Sequence, residues 1–397
     1  MRNGTKVYTC LMDMTKAFDL VKQSLLFKKL ISAGLSTIFV RLLLYIYMNQ
    51  YANVRWNGSF SSIFSIKNGV RQGAILSGIL YCFYTNDLFR TLRNNKTGCW
   101  VNNVFMGIFG YSDDNLVVAP SLDSLQEMLK TCELFAAEHN LQFSTNIDPA
   151  KCKTKCIAFL FKERNLGELD LCGDPLPWVG GGLHLGNHLN NRVEGMRQDV
   201  KIKRATFINK NIELNQEFWS SHPLTKVKMN LIFNFHFTGS PLWDLFSKEA
   251  VMLENSWNMA VKVMFDLPIQ THRFIIEPIS QTKHLKNVLM ERFLSFLMQI
   301  EKSTKKVPKQ LLAFIKNDVR SSTGSNLRNI LLLTDKSNID DLRKDHIREI
   351  KYQDVDPTNE WKIGFIKEIT DVKFNQLEVE NFSKEELEEI LDFLCTT

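Results

Sequence analysis

Asp113 and Asp114 stand side by side in a Tyr111-Ser112-Asp113-Asp114 step between two apolar runs, and a third acid, Asp13, closes another apolar run far upstream. Adjacent carboxylates repel, and burying unpaired charge is costly, so a pair held at the tip of an apolar hairpin asks for a cation between its members. Oxygen ligands of this kind suit Mg²⁺, and the chemistry of a two-ion centre built on acids is phosphoryl or nucleotidyl transfer. An Asp-Asp step taken alone is more often a plain solvated turn, so the surrounding segments decide.

Those segments place the acids well. Val104-Phe105-Met106-Gly107-Ile108-Phe109 and Leu116-Val117-Val118-Ala119 read as strands flanking a turn at 112–115. Val7-Tyr8-Thr9-Cys10-Leu11-Met12 reads as a buried strand that delivers Asp13 at its C-terminal end. Three carboxylates then converge on one spot. Asp13 also opens the run Asp13-Met14-Thr15-Lys16-Ala17-Phe18-Asp19. Between the acids lies Gly69-Val70-Arg71-Gln72-Gly73-Ala74-Ile75-Leu76-Ser77, followed by an apolar helix ending near Asn86-Asp87-Leu88.

In this order and at this spacing, D-x-x-K-A-F-D, R-Q-G-x-x-L-S and Y-x-D-D resemble the reverse transcriptases of non-LTR (LINE-like) retrotransposons, in particular the jockey and CR1-like group. The resemblance implies an RNA-directed DNA polymerase whose palm binds two Mg²⁺ ions, or Mn²⁺, through Asp13, Asp113 and Asp114. It also implies an RNA template, a DNA primer from a nicked chromosomal end, and deoxynucleoside triphosphates. By the same resemblance, Phe18 is the bulky residue that stacks under the incoming sugar and excludes a 2′-hydroxyl; a core position in the following helix is the open alternative. Gln72 and Gly73 match the segment against the nascent base pair, glycine letting backbone approach closely, and Tyr111 joins them as a nucleotide-binding residue. Asp19, one step beyond the metal-facing position, is read as structural, a cap for the next helix. Two departures from the family are Ser77-Gly78 in place of Ser-Pro and Ser112 where alanine often stands; neither removes a ligand.

Downstream, Ser121 to Asn140 has a helical apolar period with Ser121 as N-cap. Lys151-Cys152-Lys153-Thr154-Lys155-Cys156 resembles the segment whose lysine protonates the pyrophosphate leaving group, with Lys153 the first candidate and Lys151 the second; a solvated basic loop is the alternative. His184-Leu185-Gly186, after Trp178 and the glycines 180–182, resembles the primer-gripping turn between palm and thumb.

The 397 residues exceed one typical core, and 44% hydrophobic content with 11% aromatic is ample to bury two or three. A net charge of +6 is modestly basic, suited to a channel that holds phosphates only if the charge is clustered. Eight scattered cysteines, several inside apolar segments, point to reduced thiols and an intracellular setting, the nucleus being implied by the family. Cys152, Cys156, Cys172 and His184 lack the spacing of a zinc site. No run approaches the ~20 apolar residues a membrane span needs, and the first residues do not form a signal peptide, so no membrane partner is expected.

The expected fold class is α+β: a right-hand polymerase palm, with an antiparallel sheet packed on helices, over 1–190, a helical thumb over 191–300, and a charged helical region of unknown role over 301–397. Helices are expected at 24–33 and 36–49, a hairpin at 51–66 around Asn57-Gly58, and a short hairpin at Asn102-Asn103. Further helices are expected at 193–216, 225–237, 247–265 and 281–300, with some of Lys201, Lys203, Arg204, Lys210, Lys226 and Lys228 tracking phosphates. Linkers are expected at 302–306 and 321–326, and an acidic helix with a Ser383/Glu386 capping box at 383–394. Only six residues precede the first strand, so the chain reads as truncated, lacking most of the fingers, and as a polymerase fragment, a decayed inactive copy or an RNA-binding remnant.

Overall fold

The computed structural model describes residues 6–350 apart from 149, 160–165, 192–194, 222, 224, 228–236, 272–275, 277–279, 281 and 349. The acidic helix expected at 383–394 and most of the helix expected at 225–237 lie outside the described residues. The chain divides into two compact units, Met1–Val193 and Glu194–Thr397.

The first unit is α+β. In chain order it contains β1 (Val7–Met12), α1 (Gln23–Ser32), α2 (Thr37–Met48), β2 (Tyr51–Ala52), β3 (Arg55–Trp56), β4 (Ser59–Phe60), β5 (Phe64–Ser65), α3 (Ser77–Asn94), β6 (Trp100–Val101) and β7 (Val104–Phe105). These are followed by β8 (Ile108–Tyr111), β9 (Asp114–Ala119), α4 (Leu122–His139), β10 (Lys155–Phe159), β11 (Asp170–Leu171), β12 (Asp174–Pro175), β13 (Gly181–His184) and β14 (Asn187–Asn190). Four strands form one antiparallel sheet in the order β10-β1-β9-β8. The apolar run of β1 is central in it, and Cys10 has no exposure at all, as a strand covered on both faces requires. The outer edge of β10 is occupied too: Cys156 N donates to the Pro177 carbonyl and Val179 N to the Cys156 carbonyl.

Local chemistry sets most boundaries. Ser121 caps α4, its hydroxyl accepting from Ser124 N at 3.2 Å, and Asn140 closes it in the left-handed region at φ 55°. Asn57-Gly58 and Asn102-Asn103 both have positive φ, the geometry a two-residue hairpin turn demands. The strand expected over 104–109 breaks into β7 and β8, because Met106 N pairs with the Cys99 carbonyl and Val118 N pairs with the Gly107 carbonyl. The α3 helix runs on to Asn94 rather than ending near Leu88, which is itself fully buried.

A polar network joins α1, α3 and α4 inside this apolar core. Lys29 Nζ donates to the Tyr84 carbonyl at 2.7 Å and pairs with Asp87 at 2.9 Å, and the Tyr84 hydroxyl donates to the His139 carbonyl at 2.6 Å. His139 stacks on Phe135 with ring centroids 3.8 Å apart, and Nδ1 lies 2.9 Å from the Phe135 carbonyl oxygen, which can only accept. Burial, and then the Lys29 charge, push the His139 imidazole pKa below its ordinary value. The unfolded chain therefore binds this proton more readily. The contribution to stability is complete above the unfolded value of 6.5 and is lost as pH falls through the lower folded value. Melting temperature should drop between pH 7 and pH 5, and His139→Asn should make that drop smaller; equal drops would remove the assignment.

The second unit contains α5 (Gly195–Glu217), α6 (Lys248–Met264), α7 (Leu285–Lys302), α8 (Lys306–Asn317), α9 (Ser322–Leu333) and α10 (Lys344–Arg348). Trp243, Trp257, Phe207 and Phe293 anchor its core, and Trp243 Nε1 donates to Asp199 at 2.7 Å. The expected linker at 321–326 is instead the cap and first turn of α9: the Ser321 hydroxyl accepts from Gly324 N at 3.1 Å. Asn326, fully buried, donates to the Trp243 carbonyl and accepts from Leu245 N. The helix expected from 281 starts only at Leu285, and Lys306 of the other expected linker begins α8. Lys226 is turned inward, its ammonium donating to the Trp219 carbonyl at 3.0 Å, and Arg204 binds the Ser256 hydroxyl at 2.7 Å. Lys226, one of the six positions among which some were expected to track phosphates, is therefore not presented for them. Among the described residues, no helix is long and apolar enough to cross a membrane.

Candidate active site

The sheet gathers the candidate residues by register. Strand β1 runs antiparallel to both neighbours, Met12 facing Asn115 of β9 and Leu11 facing Lys155 of β10, while Tyr111 of β8 faces Asp114. Consequently Asp13 just past the end of β1, Asp114 at the start of β9, Tyr111 at the end of β8 and Lys153 just before β10 all lie at one end of the sheet. The backbone of Asp13 is held there. Its N–H donates to the Thr154 hydroxyl at 3.3 Å, its carbonyl accepts from Ser144 N at 2.8 Å, and Thr154 is completely buried.

The β8–β9 turn consists of Ser112 and Asp113 alone, tighter than the four residues expected. Ser112 sits at φ 59°, in the left-handed region that is uncommon for a residue with a Cβ. Its buried hydroxyl, and the buried Oδ1 of Asn115, have no hydrogen-bond partner within the protein. Buried polar atoms of this kind are ordinarily satisfied by water or a ligand. The Asn115 amide meanwhile donates to the Asp113 carbonyl at 3.1 Å. Tyr111 is largely exposed, and Lys153 is exposed with no ion pair among the described residues, whereas Lys151 pairs with Asp148 at 3.6 Å.

Carboxylates from Asp13, Asp113 and Asp114 are hard oxygen donors, matched to Mg²⁺ or Mn²⁺ and not to a thiol-seeking metal. Among the described residues no group of three or more His, Cys, Asp or Glu side chains is arranged to hold a metal by itself. Mg²⁺ typically takes one or two carboxylates and completes its shell with water and substrate phosphates, so this donor set fits it. Of the cysteines considered for zinc, Cys152 and Cys156 are buried core thiols whereas Cys172 is exposed.

Phe18 is half-buried and stacked on Tyr81 with centroids 5.0 Å apart and planes 21° apart. The Tyr81 hydroxyl donates to Met14 Sδ at 2.9 Å, and burial, followed by the Asp113 carboxylate, drives its pKa far above the usual phenol value. The Tyr81 hydroxyl is thus permanently protonated and close enough to Asp113 to feel its charge. Phe18 therefore rests on a rigid, buried support rather than lying wholly inside the core.

The Arg71-Gln72-Gly73 loop is clamped to the Phe18 segment. Val70 N donates to the Phe18 carbonyl and Gly69 N to the Val21 carbonyl, both at 2.8 Å, and Gln23 Nε2 reaches the Gly69 carbonyl at 3.1 Å. Gln72 is exposed and donates to Asp19 at 3.0 Å, so Asp19 ties the two segments together instead of capping α1, whose N-cap is Lys22. Gly73, at φ 80°, has open space where a side chain would stand. A Cβ on Gly69, at φ 85°, would lie 2.9 Å from the Phe18 carbonyl oxygen. Gly69→Ala should cost about 1–2 kcal/mol for the left-handed backbone alone, and more because a backbone atom cannot swing aside. An unchanged denaturation midpoint would show that the clamp yields.

The β13–β14 hairpin completes the site and was only weakly marked in the sequence. Gly182 approaches so closely that a Cβ there would meet Leu11 Cδ1 at 2.7 Å. That contact sets the hairpin against the sheet and brings His184 within electrostatic reach of Asp114. Burial lowers the His184 pKa, and the Asp114 carboxylate pulls it the other way.

Residues 1–178 match the family described as reverse transcriptase (RNA-dependent DNA polymerase). The Transposon TX1 uncharacterized 149 kDa protein of Xenopus laevis is 30% identical over 138 residues, covering 34% of this chain and 11% of that protein. The Retrovirus-related Pol polyprotein from type-1 retrotransposable element R2 of Nasonia vitripennis is 25% identical over 160 residues, 40% of this chain and 15% of that protein. The aligned stretches thus span a small part of the length of these curated relatives. Among solved structures, telomerase from Candida tropicalis in complex with a TWJ fragment of telomeric RNA aligns over 100% of this chain and 50% of its own, at 12% identity and a TM-score of 0.36. Telomerase from Candida albicans in complex with a TWJ fragment of telomeric RNA aligns over 80% and 50%, at 13% identity and a TM-score of 0.32.

Proposed function

We propose, from the premise that residues 1–178 are a reverse transcriptase domain of the non-LTR retrotransposon kind, that this chain carries the nucleotidyl-transfer centre of an RNA-directed DNA polymerase. The observation that carries this reading is the convergence of Asp13, Asp114, Tyr111 and Lys153 on one end of the antiparallel sheet, with Asp113 in the turn between two of its strands. Its substrates are an RNA template, a DNA primer and deoxynucleoside triphosphates.

Asp13, Asp113 and Asp114 would hold two Mg²⁺ ions, with Mn²⁺ as a substitute, and the chemistry so supplied would be a lowered pKa for the primer 3′-hydroxyl and neutralised charge on the triphosphate and pyrophosphate. The remaining work falls to side chains and backbone. Phe18, supported by Tyr81, lies under the incoming sugar; Gln72, Gly73 and Tyr111 line the space around the nascent base pair; Lys153 gives a proton to the pyrophosphate as it leaves. Catalysis of this kind is positioning and charge stabilisation above all, which explains why the Phe18 segment and the Gly69 loop are pinned to each other through the backbone.

The test is extension of a labelled DNA primer annealed to an RNA template, with all four deoxynucleoside triphosphates and Mg²⁺. Template-directed incorporation that stops on omission of Mg²⁺ is expected. An absence of incorporation under conditions where RNA still binds would identify an RNA-binding remnant and overturn the reading.

A further inference from the structure

We propose that the two-stranded ribbon formed by β2 to β5 is a stacking platform for single-stranded RNA, the template strand under the function just proposed, on which this inference rests. Residues 53–68 are exposed without interruption, on both faces of the ribbon. An isolated two-stranded ribbon is marginally stable in water, and natural chains seldom leave large apolar side chains uncovered on one. Here Trp56 is 82% exposed, Phe60 63% and Tyr51 61%, with Phe64 beside them. Arg55 and Phe60 face each other across the β3–β4 pair, and the guanidinium lies over the ring, 5.7 Å from its centroid.

Charge decides between a polynucleotide and a protein as the occupant. No aspartate or glutamate occurs between Asp19 and Asp87, although 43 of the 397 residues are acidic. The same interval holds Arg55 in the ribbon and Lys67 just past its end, with Arg41 before it and Arg71 after it. Exposed aromatic faces interleaved with cations, in a stretch purged of carboxylates, are the composition that binds single strands: bases stack on the rings while the basic groups meet phosphates. The ribbon, closed at its base by the bond from Ile66 N to the Gln50 carbonyl at 2.9 Å, leads directly along the chain into the Gly69–Gly73 loop. A strand lying on the ribbon is thereby delivered toward the clamped loop beside Phe18.

The full chain would be titrated against a 5′-labelled 20-nucleotide uridine RNA, binding being read by fluorescence anisotropy at several salt concentrations. Replacing both Trp56 and Phe60 by Ala should weaken binding about ten-fold or more, whereas Trp56→Phe, which keeps a stacking face, should bind nearly as the unmutated chain does. Arg55→Gln should lower the slope of log affinity against log salt by about 1. These side chains are solvent-exposed, so melting temperature should hold and exclude a folding defect. RNA affinity unchanged in the double variant, or no RNA binding by the unmutated chain, overturns the proposal. So does a double variant that loses self-association in sedimentation while keeping its RNA affinity, since the ribbon would then be a contact between protein copies. Primer extension separates this failure from that of the function: Asp113→Asn tests the centre without touching the ribbon, and ribbon variants test the platform without touching the centre.

Discussion

Asp113→Asn, or Asp13→Ala, is expected to abolish Mg²⁺-dependent primer extension, by on the order of 10²–10³-fold at least, while leaving the melting temperature within a degree or two. The two substitutions differ in what they leave behind. Asp113 lies in a two-residue turn where its main-chain carbonyl, not its carboxylate, accepts from Asn115. Asn at 113 therefore removes a charge and nothing that holds the turn together. Asp13 is likewise fixed through its backbone, to Thr154 and Ser144, so the alanine variant keeps those bonds. Extension within a few-fold of the unmutated level would reject the metal role of that residue, and a large drop in melting temperature would show that the carboxylate is structural.

Phe18→Ala should lower selectivity for deoxy- over ribonucleotides by about 10- to 100-fold, the range that a change in pocket volume typically yields. The ring is proposed to fill the volume a 2′-hydroxyl would need, and it is held there by its stack on buried Tyr81. The ratio is the informative quantity. The half-buried position also implies some loss of stability, so incorporation of both nucleotide kinds would be measured on the same preparation. An unchanged ratio with a lowered melting temperature would make Phe18 a core residue and nothing more.

Much of this architecture was legible from local pattern. The alternation and apolar runs around Asp13 and Asp114, the Asn-Gly and Asn-Asn turns, and the serine cap at Ser121 are all signals that act within a few residues. The errors arose where a distant partner decided the outcome. Asp19 looked like a helix cap because Gln72, its actual partner, is 53 residues away. Ser321 to Asn326 looked like a linker because serines, a glycine and an asparagine suit loops, yet Asn326 is fully buried and bonded to Trp243 and Leu245 across more than 80 residues. The run 104–109 has strand composition throughout, and its break at Met106 and Gly107 comes from pairing with Cys99 and Val118. Within the candidate site, the acids were marked by type and spacing. The close approach of His184, set by Gly182 against Leu11, had no comparable signal.

The central place of β1 in the sheet has a consequence for how the chain reaches this state. Val7 pairs with Phe159 and Tyr8 with Ala119, so the earliest strand of this sheet is completed by partners synthesised more than 100 residues later. At about 5–20 residues per second, the apolar strand ahead of Asp13 waits roughly 7–30 s on the ribosome before its last neighbour emerges. Pairings of such long sequence separation also slow folding, because loop-closure entropy is spent before the contacts reward it. Assembly of the acidic end of the sheet is thus a late event in the life of each new molecule. During that interval the nascent strand is an aggregation hazard, and a chain interrupted before residue 155 would have no β10 edge to shelter it.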